Sequence, residues 1–151
     1  MTDIQATLIA GIGGAIIGGA IGIIGTYLGT VKITKRQEFN KAADIFRADF
    51  IDEIFMLRKN IISGDTFISN IITDSIYIRH EKSKIIFESF LTNKELSGFN
   101  KAWEDYKNCE NNFFLSNQSY HPADISNRKE FSRFYLNHIE ILLNYAKPKI
   151  K

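Results

Sequence analysis

The sequence predicts an all-α protein: one N-terminal transmembrane helix followed by a cytosolic helical bundle of about four helices. Three observations predict it. No charged side chain occurs in the 28 residues from Ile4 to Val31. Beyond that stretch only Pro122 and Pro148 interrupt the chain. From residue 35 onward the apolar residues recur at steps of three and four, the period of an amphipathic helix, and strand-like alternation is scarce. Averages over the 151 residues, 44% hydrophobic and 24% charged, conceal two unlike segments. Eight of the ten glycines and none of the 19 lysines and arginines fall within residues 1–30, whereas 18 of the 19 aromatics fall after residue 31. The single cysteine, Cys109, excludes an internal disulfide framework and a cysteine-rich zinc site. A formal charge of +2 is too small to argue nucleic-acid binding from bulk electrostatics.

Residues 1–7 read as a short extracytoplasmic N-terminus and residues 8–28 as the transmembrane helix. A hydrocarbon core of ~30 Å needs about 20 helical residues, and Leu8 to Leu28 supplies 21. A cleaved signal peptide would want a basic start and an apolar run of roughly 7–15 residues. The start here carries only Asp3 and no lysine or arginine. A water-soluble helix with so many glycines would lose ~1 kcal/mol at each relative to alanine, whereas glycine is common in lipid-embedded helices. Residues 29–36 form a basic juxtamembrane segment, with Lys32, Lys35 and Arg36 marking the cytoplasmic interface and Tyr27 as an aromatic anchor. The orientation expected is single-pass in a bacterial inner (cytoplasmic) membrane, N-terminus out and C-terminal domain cytosolic.

The glycines carry a pattern. Gly11, Gly14, Gly18, Gly22, Gly25 and Gly29 are spaced three, four, four, three and four apart, so all six fall within about 80° of helix circumference. Gly14, Gly18 and Gly22 resemble the glycine zipper of self-associating membrane helices. Lipid tails are as apolar as isoleucine, so the gain comes from close backbone approach along the small face. These six glycines are the expected oligomerisation residues, and the expected partners are further copies of the chain and membrane lipid. Gly13 and Ala20 notch the opposite, isoleucine-rich face, which would suit a helix with two neighbours, as in a ring. A plain anchor with incidental glycines is the simpler alternative.

Residues 37–146 read as the cytosolic helical domain and 147–151 as a frayed tail. Phe39, Ala43, Phe46, Phe50, Ile54, Leu57 and Ile61 predict one amphipathic helix over 35–62. Ser63-Gly64-Asp65 ends it, and Asp65 or Thr66 is placed to cap the next helix, over 66–91. That helix carries Phe67, Ile68, Ile71, Ile72, Ile76, Ile86, Phe87 and Phe90 around Arg79-His80-Glu81-Lys82, read as a salt-bridged outer face. Thr92-Asn93 caps a helix of about 94–108 with Leu96, Phe99, Ala102, Trp103 and Tyr106 inward. Residues 109–126, rich in asparagine and serine, read as a loop with Phe113, Phe114 and Leu115 pinned to the core. A last helix over 127–146 presents Phe131, Tyr135, Leu142 and Ala146.

Few chemistries survive inspection. There is no phosphate-binding G-x-x-x-x-G-K-[ST] loop, no H-E-x-x-H and no G-x-S-x-G, and the three histidines are scattered. Nothing calls for a metal or a cofactor. Arg133 and His138 form an Arg-x4-His pattern, which resembles the Arg-x4–6-His motif of HEPN domains, all-helical modules that often cleave RNA as dimers. The family usually has a polar residue after the arginine, and here it is Phe134. Read from the residues alone, the favoured account is that Arg133 is a surface arginine and His138 a core-edge histidine beside Tyr135 and Leu142.

A short membrane helix, a helical domain of about 120 residues and a degenerate Arg-x4-His together resemble the small membrane accessory proteins of RNA-targeting type VI CRISPR systems. That resemblance implies an oligomeric membrane pore in antiphage defence, with a CRISPR effector or another cytosolic partner as trigger. It gives Arg133 and His138 a part in assembly or signal reception. Two other readings stand beside it: a membrane-tethered HEPN-like ribonuclease, whose partner would be RNA, and a tethered helical adaptor.

Overall fold

A computed structural model describes residues 26–27, 29–117 and 121–149. The chain divides into two compact units, Met1–Glu38 and Phe39–Lys151. In the first, residues 29–38 are helical and Thr30 Oγ1 donates to the Thr26 carbonyl at 2.9 Å. The span expected over 8–28 lies outside the described residues except for Thr26 and Tyr27, as do all the expected packing glycines but Gly29. Among the described residues no helix is long and apolar enough to cross a membrane.

The second unit is all-α, with seven α-helices among the described residues and no strand. They are α1 (residues 39–48), α2 (Ile51–Ser63), α3 (Ile68–Ile71), α4 (Asp74–Glu88), α5 (Asn93–Lys107), α6 (Cys109–Ser116) and α7 (Ile125–Leu143). A 3-10 turn, Asn144–Ala146, follows α7. The bundle therefore has more and shorter helices than the four expected.

The helix expected over 35–62 breaks at Asp49-Phe50, where the Phe50 N–H reaches back to the Arg47 carbonyl at 3.2 Å in a tightened turn. The break frees the Asp49 carbonyl, which accepts from two side chains of α4. α2 ends where the sequence said it would. Gly64 has φ 72°, and its N–H donates to the Asn60 carbonyl at 2.7 Å; a Cβ there would meet Ile125 Cγ2 at 2.5 Å. Only glycine meets both demands. Asn60 clamps the connection, donating to the Thr66 carbonyl and Ser132 Oγ while its Oδ1 accepts from the Thr66 N–H. Arg128 of α7 adds a bond from Nε to the Gly64 carbonyl at 2.5 Å.

With Thr66 so engaged, neither it nor Asp65 caps the following helix, and Phe67 takes that position without a side-chain bond. The expected 66–91 helix is also split, because Ile72 and Thr73 are extended between α3 and α4. Thr92 and Glu95 form a full capping box on α5, and Phe99, Ala102, Trp103 and Tyr106 line its buried face. Leu96 packs on the core from its edge.

Residues 109–116 are helical rather than looped. Phe113 is buried and stacks on Phe131 with centroids 4.5 Å apart, but Phe114 is partly exposed and Leu115 is 79% exposed. A helix of eight residues can turn only one face inward, so three consecutive apolar residues cannot all reach the core. On α7 the expected inward residues Phe131, Tyr135 and Leu142 are buried, as is Ala146 in the turn after it. The tail is held in part: the Lys149 N–H donates to Asn40 Oδ1 at 3.0 Å, and its Nζ sits 4.0 Å over the Phe39 ring.

The core is aromatic. Phe46 of α1 stacks on Phe87 of α4 at 5.0 Å and meets Phe50 and Phe99 edge-on. Such offset and edge-to-face pairs add stabilisation of roughly 0.5–1.5 kcal/mol each beyond burial.

Candidate functional site

Arg133 and His138 are five residues apart in α7, about 140° of helix circumference. Arg133 is exposed, and His138 is half-buried with Nδ1–H donating to the Phe134 carbonyl at 2.9 Å and its ring 4.5 Å from that of Phe134. Tyr135 and Ile139, on the face beyond His138, fill the core. One chain does not bring the two together, and His138 keeps only Nε2 for other work.

The polar residues the fold does bring together are Glu53 of α2, Arg79 and His80 of α4, and Tyr106 of α5. Glu53 is buried because it occupies the inward stripe between Phe50 and Leu57, a carboxylate at an apolar register position. His80 is fully buried, its ring stacked on Phe50 at 3.8 Å. Arg79 Nη2 donates to Glu53 Oε1 at 2.5 Å and to the Asp49 carbonyl at 2.9 Å. His80 Nε2 lies 2.9 Å from the Asp49 carbonyl and 3.3 Å from Glu53 Oε2. Both neighbours are acceptors, which assigns the proton to Nε2. Nδ1 then accepts from the Tyr106 hydroxyl at 2.7 Å. Beyond Tyr106, the hydroxyls of Tyr77 and Tyr135 hydrogen-bond to each other.

Burial alone would raise the carboxyl of Glu53. Hydrogen bonding to the carboxylate, that of His80 first, with the positive charge of Arg79, more than offsets it and holds the group below the ordinary carboxylate value. Burial pushes the hydroxyls of Tyr77, Tyr106 and Tyr135 upward, so the chain of phenols is neutral. Burial also pushes the Cys109 thiol up to about 12, which leaves it protonated and unreactive.

Chemically this is a clamp rather than a catalytic constellation. An anion and a cation neutralise one another across two helices, and a histidine bridges them to the α1–α2 turn. His80 itself is fully buried and lines neither of the two grooves nearby. A small groove of about 130 Å3 near Tyr77 is lined by Glu81, Trp103 and Lys107. A larger one, about 320 Å3, lies beside Arg47, Ile51, Ile54 and Leu143. Among the described residues no cluster of three histidine, cysteine or acidic side chains could hold a metal.

The expected outer face Arg79-His80-Glu81-Lys82 is thus corrected: His80 points inward and Arg79 pairs with a buried carboxylate, while Glu81 and Lys82 remain outside. The available signal was the coincidence of a carboxylate at an inward position of one helix with a histidine in register with Ile76, Ser83 and Phe87 in another. Of the other expected residues, Tyr27 is exposed, Lys32 and Lys35 are exposed and Arg36 is partly so. A Cβ at Gly29 would meet nothing within 4 Å in the single chain.

No family model matches the chain, and neither the characterised proteins nor the solved structures compared with it include a significant match.

Proposed function

We propose that the chain is a homo-oligomeric, single-pass inner-membrane protein whose glycine face packs copy against copy, and that the assembly perturbs the bilayer as a pore. The helical unit of residues 39–149 serves as its cytosolic receiver. By the resemblance of its architecture to the membrane accessory proteins of type VI CRISPR systems, its setting is antiphage defence and its trigger a cytosolic effector.

One observation carries the reading: six glycines in register within a stretch of 28 residues without charge. The helical unit supports it by elimination. Its buried polar cluster pairs an anion with a cation inside the fold and lines neither of the two grooves described, and its Arg-x4-His residues lie about 140° apart on α7. A ribonuclease would therefore need a second copy to complete its site, and an adaptor needs no glycine pattern at all.

Exchange of residues 8–28 for an unrelated polyleucine span separates the three. Dye entry into cells expressing the protein is expected to disappear with the exchange. A nuclease or an adaptor would keep its activity, and undiminished dye entry would reject the pore.

A further inference from the structure

The apolar residues of α4 are not gathered on its buried side. Its inward positions are His80, Ser83 and Phe87, all buried, whereas Ile78, Ile85 and Ile86 on its outer side are 54%, 58% and 54% exposed. A helix that spends a histidine and a serine on the core and three isoleucines on solvent is built for contact on both sides.

The outer face also has a charge pattern. Ile78 and Ile85, seven residues apart, share one line of the helix to within about 20°. Midway between them, Glu81 lies about 60° to one side of that line and Lys82 about 40° to the other. Among the described residues neither Glu81 nor Lys82 has an ion-pair partner within the chain, whereas their neighbours Arg79 and Lys84 pair with Glu53 and Glu88.

We infer that this face binds a second copy of the chain, α4 against α4 in parallel about a two-fold axis. Such an axis, parallel to the helices, sets Ile78 against Ile78 and Ile85 against Ile85. It also carries the acidic edge of each helix onto the basic edge of the other, so that Glu81 of each copy faces Lys82 of the other. An antiparallel pair would bring acidic edge to acidic edge and basic to basic, at the cost of like-charge repulsion. The face is therefore complementary to itself in one orientation only. The interface deepens the homo-oligomer proposed above but rests on a surface separate from the glycines.

The test uses the full chain in mild detergent with single substitutions, since the native Cys109 is buried. Under a mild oxidant, Ile78→Cys and Ile85→Cys are each expected to give a disulfide-linked dimer alone, while Leu115→Cys, on the exposed side of α6, does not. Glu81→Lys should lower the Ile85→Cys yield roughly tenfold, and Glu81→Lys combined with Lys82→Glu should restore it. Restoration on reversing both charges distinguishes an interface from misfolding. Crosslinking no stronger than at Leu115→Cys, dimers formed only when the Ile78→Cys and Ile85→Cys proteins are mixed, or a double reversal without rescue would each overturn the inference. In a Gly18→Leu/Gly22→Leu background the α4 crosslink should persist while larger assemblies vanish. If Ile85→Cys with the native glycines gives the crosslink but nothing larger than a dimer, the glycine reading fails and this interface stands.

Discussion

Replacing Glu53 by glutamine tests the physical account of the helical unit. The substitution keeps the shape and removes the charge. Oε1 of the new side chain can still accept from Arg79, but its amide nitrogen takes the place of Oε2, 3.3 Å from His80 Nε2, setting donor against donor. Glu53 is 3% exposed, so its lost charge-assisted bonds are not replaced by water, whereas the Arg79 side chain is 42% exposed and recovers part of its hydration. A destabilisation of about 2 kcal/mol follows, which for a domain of this size lowers the melting temperature by roughly 10 °C. The pH dependence has a definite sign. A folded-state carboxyl held below its ordinary value of 4.5 contributes stability above that pH and loses it as pH falls through the folded value. The gap between wild type and Glu53→Gln should therefore be full at pH 7 and close progressively below about pH 4.5. Fluorescence of Trp103, the single tryptophan and a buried one, reports the melt. Equal melting temperatures at pH 7, or a gap that does not change with acidification, would refute the clamp.

Gly64→Ala combines a left-handed backbone with a Cβ 2.5 Å from Ile125 Cγ2, and should cost more than about 1 kcal/mol in urea denaturation. Phe46→Ala removes the ring that meets Phe50, Phe87 and Phe99 and should cost about 3–5 kcal/mol in the same assay. Arg133→Ala and His138→Ala lie off the packed face and should each change stability by no more than about 0.5 kcal/mol. Under the pore reading, with the part in assembly or signal reception that the resemblance implies, either change lowers dye entry without unfolding the protein, whereas loss of an RNA-cleaving activity in either variant would favour the ribonuclease.

The all-α class and the inward faces of the longer helices were legible because periodicity in a helix is a direct record of burial. Phe39, Ala43, Phe46, Phe50 and Leu57 are buried in register, and Thr92 caps α5 as its spacing to Glu95 requires. The breaks were not legible. Asp49-Phe50 interrupts a continuous apolar stripe, and its cause is tertiary: two α4 side chains compete for the Asp49 carbonyl. Likewise Asn60 of α2 takes the backbone of Thr66 that would have started the next helix. The segment 109–116 looked like a loop from its asparagines, yet Phe113 stacked on Phe131 holds it helical against α7. The polar cluster escaped notice because a buried ion pair is defined by two helices at once. Each partner alone resembles surface.

Native mass spectrometry of the full chain released into mild detergent addresses the central claim most directly. Wild type should give species well above a dimer, and Gly18→Leu/Gly22→Leu should leave dimers and monomers only. A wild-type spectrum holding nothing larger than a dimer, or large species that survive both leucines unchanged, would contradict the claim that the glycine face assembles the protein.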